Sequence, residues 1–429
     1  MSGSPRSFFR QSAGLVVATV TGGLAMMLVH TVVVKRCGPA AYAEFKALLS
    51  TFYILAAIGG GLWTLFAQQT AAAGDDPGRL GAVAGAARRV ALLILGVWAI
   101  LGAGLWAAQD RLMALWKLSQ AGALWATWLL GLFTLWVAVA RGVVQGRQNF
   151  AALGFLTLGD GFGRLAAVLG IVTWVTATAA GAMWGAVGGC ALALGVGVWG
   201  GREIWGRPGR GAGARQWLGG FVPLALAAGA LQAFQQYDNM FWQALIPPDQ
   251  VARWNLGALY SPAQTIGFGL TQFTVPLALV MLPRLARPGA AGEAADSLRL
   301  TVRATAWMGG TVAAVCTGLP RLPLQVMFFN QPAAWAAAPV VPWVAWAMTA
   351  FTLAHVYLSG LFARRRFGVV PWVVALAAGY LATLAWLRPV LLAREPVDAY
   401  RLGVQVLGVF NLGLLGVAWA FDRAATRRS

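Results

Sequence analysis

Apolar residues in this chain come in long runs, and polar residues collect in the short gaps between them. About 20 mostly apolar residues make a helix that crosses a bilayer. Twelve runs qualify: 12–34, 45–67, 90–108, 124–140, 152–175, 179–199, 217–245, 256–282, 302–319, 341–362, 369–387 and 404–421. Each is predicted to be helical, because a segment in hydrocarbon must satisfy its backbone polar groups internally. The fourth run is short and the seventh turns polar in its second half. All gaps are short, so no soluble domain fits between the runs. The gap 200–216 is rich in glycine and arginine and lies near the middle of the chain. The expected fold is all-α: a polytopic membrane protein of about twelve helices in two six-helix bundles, 1–206 and 207–429.

Charge placement orients these helices. Of 32 lysines and arginines, 21 fall in gaps or at the edge of a run on the side of the N-terminus, ten likewise on the opposite side, and one, Arg164, deep inside a run. An excess of basic residues marks the cytoplasmic side, so both termini are expected there. Composition agrees with a lipid-facing exterior. Hydrophobic residues make up 59% and charged residues only 10%, against about 25% in a soluble domain. The net charge of +19 is spread between apolar runs; it does not gather on one basic face, which argues against a nucleic-acid partner. Cys37, Cys190 and Cys316 are far apart, giving no disulfide framework and no metal site. Residues 1–10 are short and basic, and the apolar run after them exceeds the core of a cleavable signal, so a retained first helix is expected.

The two halves look alike. After the first run the chain reads Gly38-Pro39-Ala40-Ala41-Tyr42-Ala43-Glu44-Phe45, and after the seventh Pro247-Pro248-Asp249-Gln250-Val251-Ala252-Arg253-Trp254. Both are a proline turn, a short polar stretch and an aromatic opening the next helix. Gln145-Gly146-Arg147-Gln148-Asn149-Phe150 follows the fourth run, as Phe362-Ala363-Arg364-Arg365-Arg366-Phe367 follows the tenth. Six helices per half make the repeat parallel, a design that frames a central cavity opening to each side in turn.

These segments resemble the Wzx-type polysaccharide and O-antigen flippases of the multidrug/oligosaccharidyl-lipid/polysaccharide exporter superfamily. The family's outer "LGPxxYGxF" loop corresponds to Cys37–Phe45, with Cys37 and Ala43 departing from leucine and glycine. Its inner "QGxxxF" turn corresponds to Gln145–Phe150, its seventh-helix aspartate to Asp238, and its closing "P-R" to Pro283-Arg284. A "GxY" step is met by Gly257 to Tyr260 at a shifted spacing. The resemblance implies a transporter that moves an isoprenoid-diphosphate-linked oligosaccharide from the inner to the outer leaflet of the bacterial cytoplasmic membrane. It implies an H+ or Na+ gradient as driver, polysaccharide assembly proteins as partners, and neither cofactor nor enzymatic activity. No GxxxxGK[ST] segment occurs.

An ionisable residue inside a spanning helix is expensive and needs a partner or a wet cavity. Asp160 and Arg164 are four apart in the fifth run and share a face. Arg164 suits a phosphate through its planar fork, with Asp160 holding it or carrying a coupling proton; a self-neutralised packing pair would look the same. Asp238 lies in a polar stripe with Gln232, Gln235, Gln236 and Asn239, fit for sugar hydroxyls, a cation, or interhelical glue. His355 is placed for proton exchange or packing, and His30 for the membrane interface. Arg141, Arg147 and Arg364 stand at the cytoplasmic face, either against anionic lipid headgroups or as capture points for an anionic substrate. Two rivals remain open at this stage. One is a cation-coupled multidrug exporter of the same superfamily. The other is a membrane glycosyltransferase or polymerase, which by analogy would carry an acidic outer loop; the outer gap 388–403 holds only Glu395 and Asp398.

Overall fold

The computed structural model describes residues 5–209, 214–271, 291–364 and 366–426, and every regular element among them is helical. The long helices are α1 (Pro5–Ala73), α2 (Pro77–Trp116), α3 (Ala121–Gly146), α4 (Phe150–Trp174), α5 (Ala179–Gly200) and α6 (Ala214–Leu245). They continue with α7 (261–271), α8 (Ala291–Gly318), α9 (Val341–Ala363), α10 (Val370–Trp386) and α11 (Pro396–Thr426). Every predicted run falls on one of these helices, except that the eighth begins on a separate short helix, Leu256–Leu259, and its part beyond 271, with the Pro283-Arg284 motif that follows, lies outside the described residues. Eight of the described helices are long and apolar enough to cross a bilayer.

The first two runs share α1. The gap expected between them is a single non-helical residue, Gly38, at φ 84° and ψ 173°. A side chain is strained there, so glycine takes the position. Pro39 then opens the next arm, where its missing N–H leaves no bond unmade. At 40 residues α2 is about 60 Å long, twice the hydrocarbon thickness. Its apolar middle, the predicted run, carries large exposed side chains such as Leu92, Ile100 and Trp106. In water such a surface would be unstable, whereas in lipid it is the expected exterior. The chain is a multi-pass membrane protein.

The chain folds as two compact units, one of residues Met1–Cys37 and Glu44–Gly229, the other of Gly38–Ala43 and Ala230–Ser429. The division thus falls inside α6, later than the 206/207 boundary read from the glycine-rich gap. The cause is apolar packing: Phe221 on α6 lies against Gly61 and joins the cluster of Leu62, Phe66, Trp98 and Leu132.

Within the first unit α3 packs on α2 and α5, and α4 packs on α5. The second arm of α1 meets α3 at Gly142 and Gly146, four apart. A Cβ on Gly142 would lie 2.6 Å from the Trp63 carbonyl oxygen, and one on Gly146 2.6 Å from that of Ala67. Small residues at this spacing let helix backbones approach in lipid.

Within the second unit the pairings are α8–α9, α9–α11 and α10–α11, the counterparts of α2–α3, α3–α5 and α4–α5. The Asn411 amide donates to the Ala347 carbonyl at 2.9 Å, and Arg364 pairs with Asp422 at 2.5 Å; each ties α9 to α11. Segment Gly38–Ala43 belongs to this unit. Its Tyr42 is fully buried, with the hydroxyl 2.8 Å from Thr265 Oγ1 and the ring edge-on to Phe328. Gly257 presses so closely on Pro39 that any Cβ would overlap its backbone.

Candidate functional site

In the first unit a charged cluster forms between α3 and α4. Asn149 caps α4 by accepting from the Ala152 N–H at 3.1 Å, which fixes the helix start and so the face that carries Asp160 and Arg164. Asp160 divides its two oxygens between two arginines: Oδ1 accepts from Arg164 Nε at 2.7 Å, and Oδ2 from Arg141 Nη2 at 3.1 Å. Each guanidinium also lies over an aromatic face from α1. Arg164 is 5.5 Å from the Phe52 ring centre and Arg141 5.6 Å from that of Trp63, an arrangement that stabilises a poorly hydrated cation. Gly189 on α5 leaves space for the Arg164 backbone, since a Cβ there would lie 2.5 Å from its Cα.

The cluster is not neutral. Two guanidiniums face one carboxylate, and Arg164 Nη1 and Arg141 Nε are buried without a hydrogen-bond partner. A buried donor left unmade costs about 1–3 kcal/mol, more when charged. Side-chain exposure rises from 5% at Arg164 to 17% at Asp160 and 21% at Arg141, so the three side chains run from the interior toward an accessible end. The arrangement can accept an oxyanion at the unused N–H groups.

The sequence joined Asp160 to Arg164 but set Arg141 apart with the cytoplasmic-face arginines. The structure puts it in the same cluster. Arg147 goes elsewhere, donating to the Gly74 carbonyl at 2.7 Å and to Asp75 at 3.0 Å, and so clamping the turn between α1 and α2. Arg364 is engaged by the Gly360 carbonyl and Asp422.

In the second unit the polar stripe on α6 faces inward. Gln235, Gln236, Asp238 and Asn239 are buried, and Gln232 is half-buried with its Oε1 lacking a hydrogen-bond partner. Asp238 accepts the Tyr260 hydroxyl at Oδ2 and the Asn239 N–H, at 2.8 Å, at Oδ1. Ser261 donates to Asn239, and the Gln264 amide to the Gln235 carbonyl. These bonds join α6 to residues 260–264. Above Asp238 the rings of Trp242, Trp254, Tyr260 and Tyr400 form one box, with Trp242 and Tyr400 4.8 Å apart. The Tyr400 hydroxyl donates to the Trp254 carbonyl at 2.9 Å. Nothing local in the sequence signals this box, because Trp254 and Tyr400 are 146 positions apart. His355 is half-buried and stacks on Phe351 at 6.1 Å.

Two placements differ from expectation. His30, assigned to the interface, is 5% exposed and edge-on to Phe45. Lys46, counted as a charge of an outer gap, is 1% exposed. Both follow from the kink at Gly38: no loop intervenes, so Lys46 sits within a helical arm beside the first arm.

No protein-family model matches the sequence, and no curated protein does. Solved structures match it in fold. An inward-facing multidrug resistance MATE family transporter of the MOP superfamily aligns over 96% of this chain and 98% of its own, with a TM-score of 0.72 at 9% identity. A MOP superfamily transporter from Pyrococcus furiosus, described as having a binding pocket of reversed polarity that suggests a different function, aligns over 97% and 96%, with a TM-score of 0.68 at 10% identity. A mutant of the Vibrio cholerae MATE transporter VcmN aligns over 99% and 98%, with a TM-score of 0.66 at 15% identity. At these identities the likeness is one of architecture: this chain has the MATE transporter fold, a fold of twelve transmembrane helices in two bundles.

Proposed function

We propose that this protein is an alternating-access transporter that flips an isoprenoid-diphosphate-linked oligosaccharide across the bacterial cytoplasmic membrane, with both termini in the cytoplasm. The observation that carries this reading is the Arg141–Asp160–Arg164 cluster. Its two arginines share one acid and keep buried N–H groups unused. A diphosphate supplies the acceptors they lack, and a guanidinium fork suits phosphate oxygens. The glycan would contact polar side chains, while the lipid tail stays in the bilayer.

Asp238 is the better of the two acids to carry H+ or Na+. It accepts from two neutral donors, the Tyr260 hydroxyl and the Asn239 N–H, whereas both oxygens of Asp160 are engaged by arginines.

The fold supports a second reading, a cation-coupled multidrug exporter, since two of the solved structures above are MATE transporters and one is described as a multidrug resistance protein. A cationic cluster disfavours cationic drugs, and the same fold is described with a pocket of reversed polarity in a protein of different function. The deciding experiment places Arg164→Ala beside the native protein, in proteoliposomes and in cells. Transfer of a lipid-linked glycan to the far leaflet is expected to fall at least about tenfold, the size of one lost charged hydrogen bond, while resistance to cationic drugs stays the same. Loss of drug resistance with glycan transfer intact would select the exporter instead.

A further inference from the structure

A groove lined by three charged side chains lies outside both clusters. It sits at the end of the second unit where α9 and α11 begin, has a volume of about 450 Å³, and is lined by Trp343, Arg394, Asp398, Arg401, Leu402 and Gln405. Asp398, Arg401, Leu402 and Gln405 fall at i, i+3, i+4 and i+7 on the first turns of α11, one face of the helix. Trp343, in the first turn of α9, offers a ring that is 45% exposed. The Arg401 guanidinium is held in place by the Pro339 carbonyl at 3.2 Å and by Asp398 at 3.2 Å. Arg394 is exposed, and among the described residues its guanidinium has no ion-pair or hydrogen-bond partner.

We infer that this groove is a binding subsite for an acidic sugar, a carboxylate-bearing unit of a glycan. An exposed indole face takes the apolar C–H face of a pyranose. Asp398 accepts hydroxyl hydrogen bonds, and the Gln405 amide both donates and accepts. The unpaired Arg394 gives a planar fork for a carboxylate. A lipid phosphate fits less well: it is an acceptor with few donors, so a site built for it would not line the groove with the carboxylate of Asp398. The volume is in the range of small-ligand pockets. The inference extends the flippase reading, in which this end faces away from the cytoplasm and meets glycan that has crossed.

The test is saturation-transfer NMR on the full chain in zwitterionic nanodiscs, with cellobiouronic acid as probe and cellobiose as its uncharged counterpart. The acid is expected to give the stronger signal. Arg394→Gln and Trp343→Ala should each weaken its binding about tenfold, Trp343→Phe should retain it, and anionic lipid in the nanodisc should leave it in place. Equal signals for both sugars, signals that survive Arg394→Gln, or displacement by anionic lipid would each overturn the inference, the last in favour of a headgroup site. Binding here is independent of the transport cluster, so Arg164→Ala should keep the signal. A protein that binds the acid but flips no glycan would then sink the transport reading alone, and the converse would sink this one alone.

Discussion

At the scale of single residues, the question is whether Asp160 serves packing or transport, and the geometry allows the two to be separated. Asp160→Asn removes the one acid from two largely buried guanidiniums. Breaking a buried pair on one side destabilises by about 3 kcal/mol, so the apparent melting temperature in detergent should drop. Adding Arg164→Gln removes one of the stranded charges, and the melting temperature should recover most of the loss. Glycan transfer should not recover. If it returns with stability, the pair is a packing device and the proposed role of Arg164 fails. In the second unit, Tyr260→Phe leaves Asp238 Oδ2 without its hydroxyl donor, and a loss of about 1–3 kcal/mol is expected by the same melting measurement. Half of this chemistry was legible in the chain. The spacing of four residues placed Asp160 on Arg164, but Arg141 is 19 positions from Asp160 on another helix, and only the packing of α3 beside α4 unites them. Lys46 was legible only as a charge near a proline turn; its burial depends on a kink that has no length.

At the scale of elements, glycine decides how closely helices pass. The crossing of α1 and α3 at Gly142 and Gly146 has no room for a Cβ, so leucine at either site must push the arms apart. Gly142→Leu should destabilise the first unit by about 1–3 kcal/mol, the range for overpacking a filled site, and lower the yield of monodisperse protein on gel filtration. Gly60, with open space around it, is the control that should tolerate leucine. Gly38 acts through backbone alone: a Cβ there meets nothing, yet its φ of 84° should make Gly38→Ala lose about 1–3 kcal/mol. Hydropathy located the helices well because the bilayer fixes their length. It misjudged their ends, since α2 and α11 extend beyond their apolar runs through residues such as Arg79, Arg111 and Asp398 that suit the water on either side.

At the scale of the whole chain, the sequence hinted at two similar halves through paired loops, and the helix pairings bear this out within each unit: α2–α3, α3–α5 and α4–α5 in one, α8–α9, α9–α11 and α10–α11 in the other. What loop spelling could not reveal is that Gly38–Ala43 belongs to the second unit, because that depends on Tyr42 meeting Thr265, 223 positions away. In the proposed orientation both ends of the chain lie in the cytoplasm, the side to which the excess of basic residues assigns them. Burial of Lys46 removes a charge from the opposite tally. A fluorescent protein fused after Ser429 should therefore fold and glow, and alkaline phosphatase inserted in the 117–120 connection should be active. Phosphatase at the C-terminus should be inactive. The reverse pattern would turn the molecule over, placing the Trp343–Arg394 groove in the cytoplasm, and a mixed pattern would require an odd number of crossings, which two like bundles of six cannot supply.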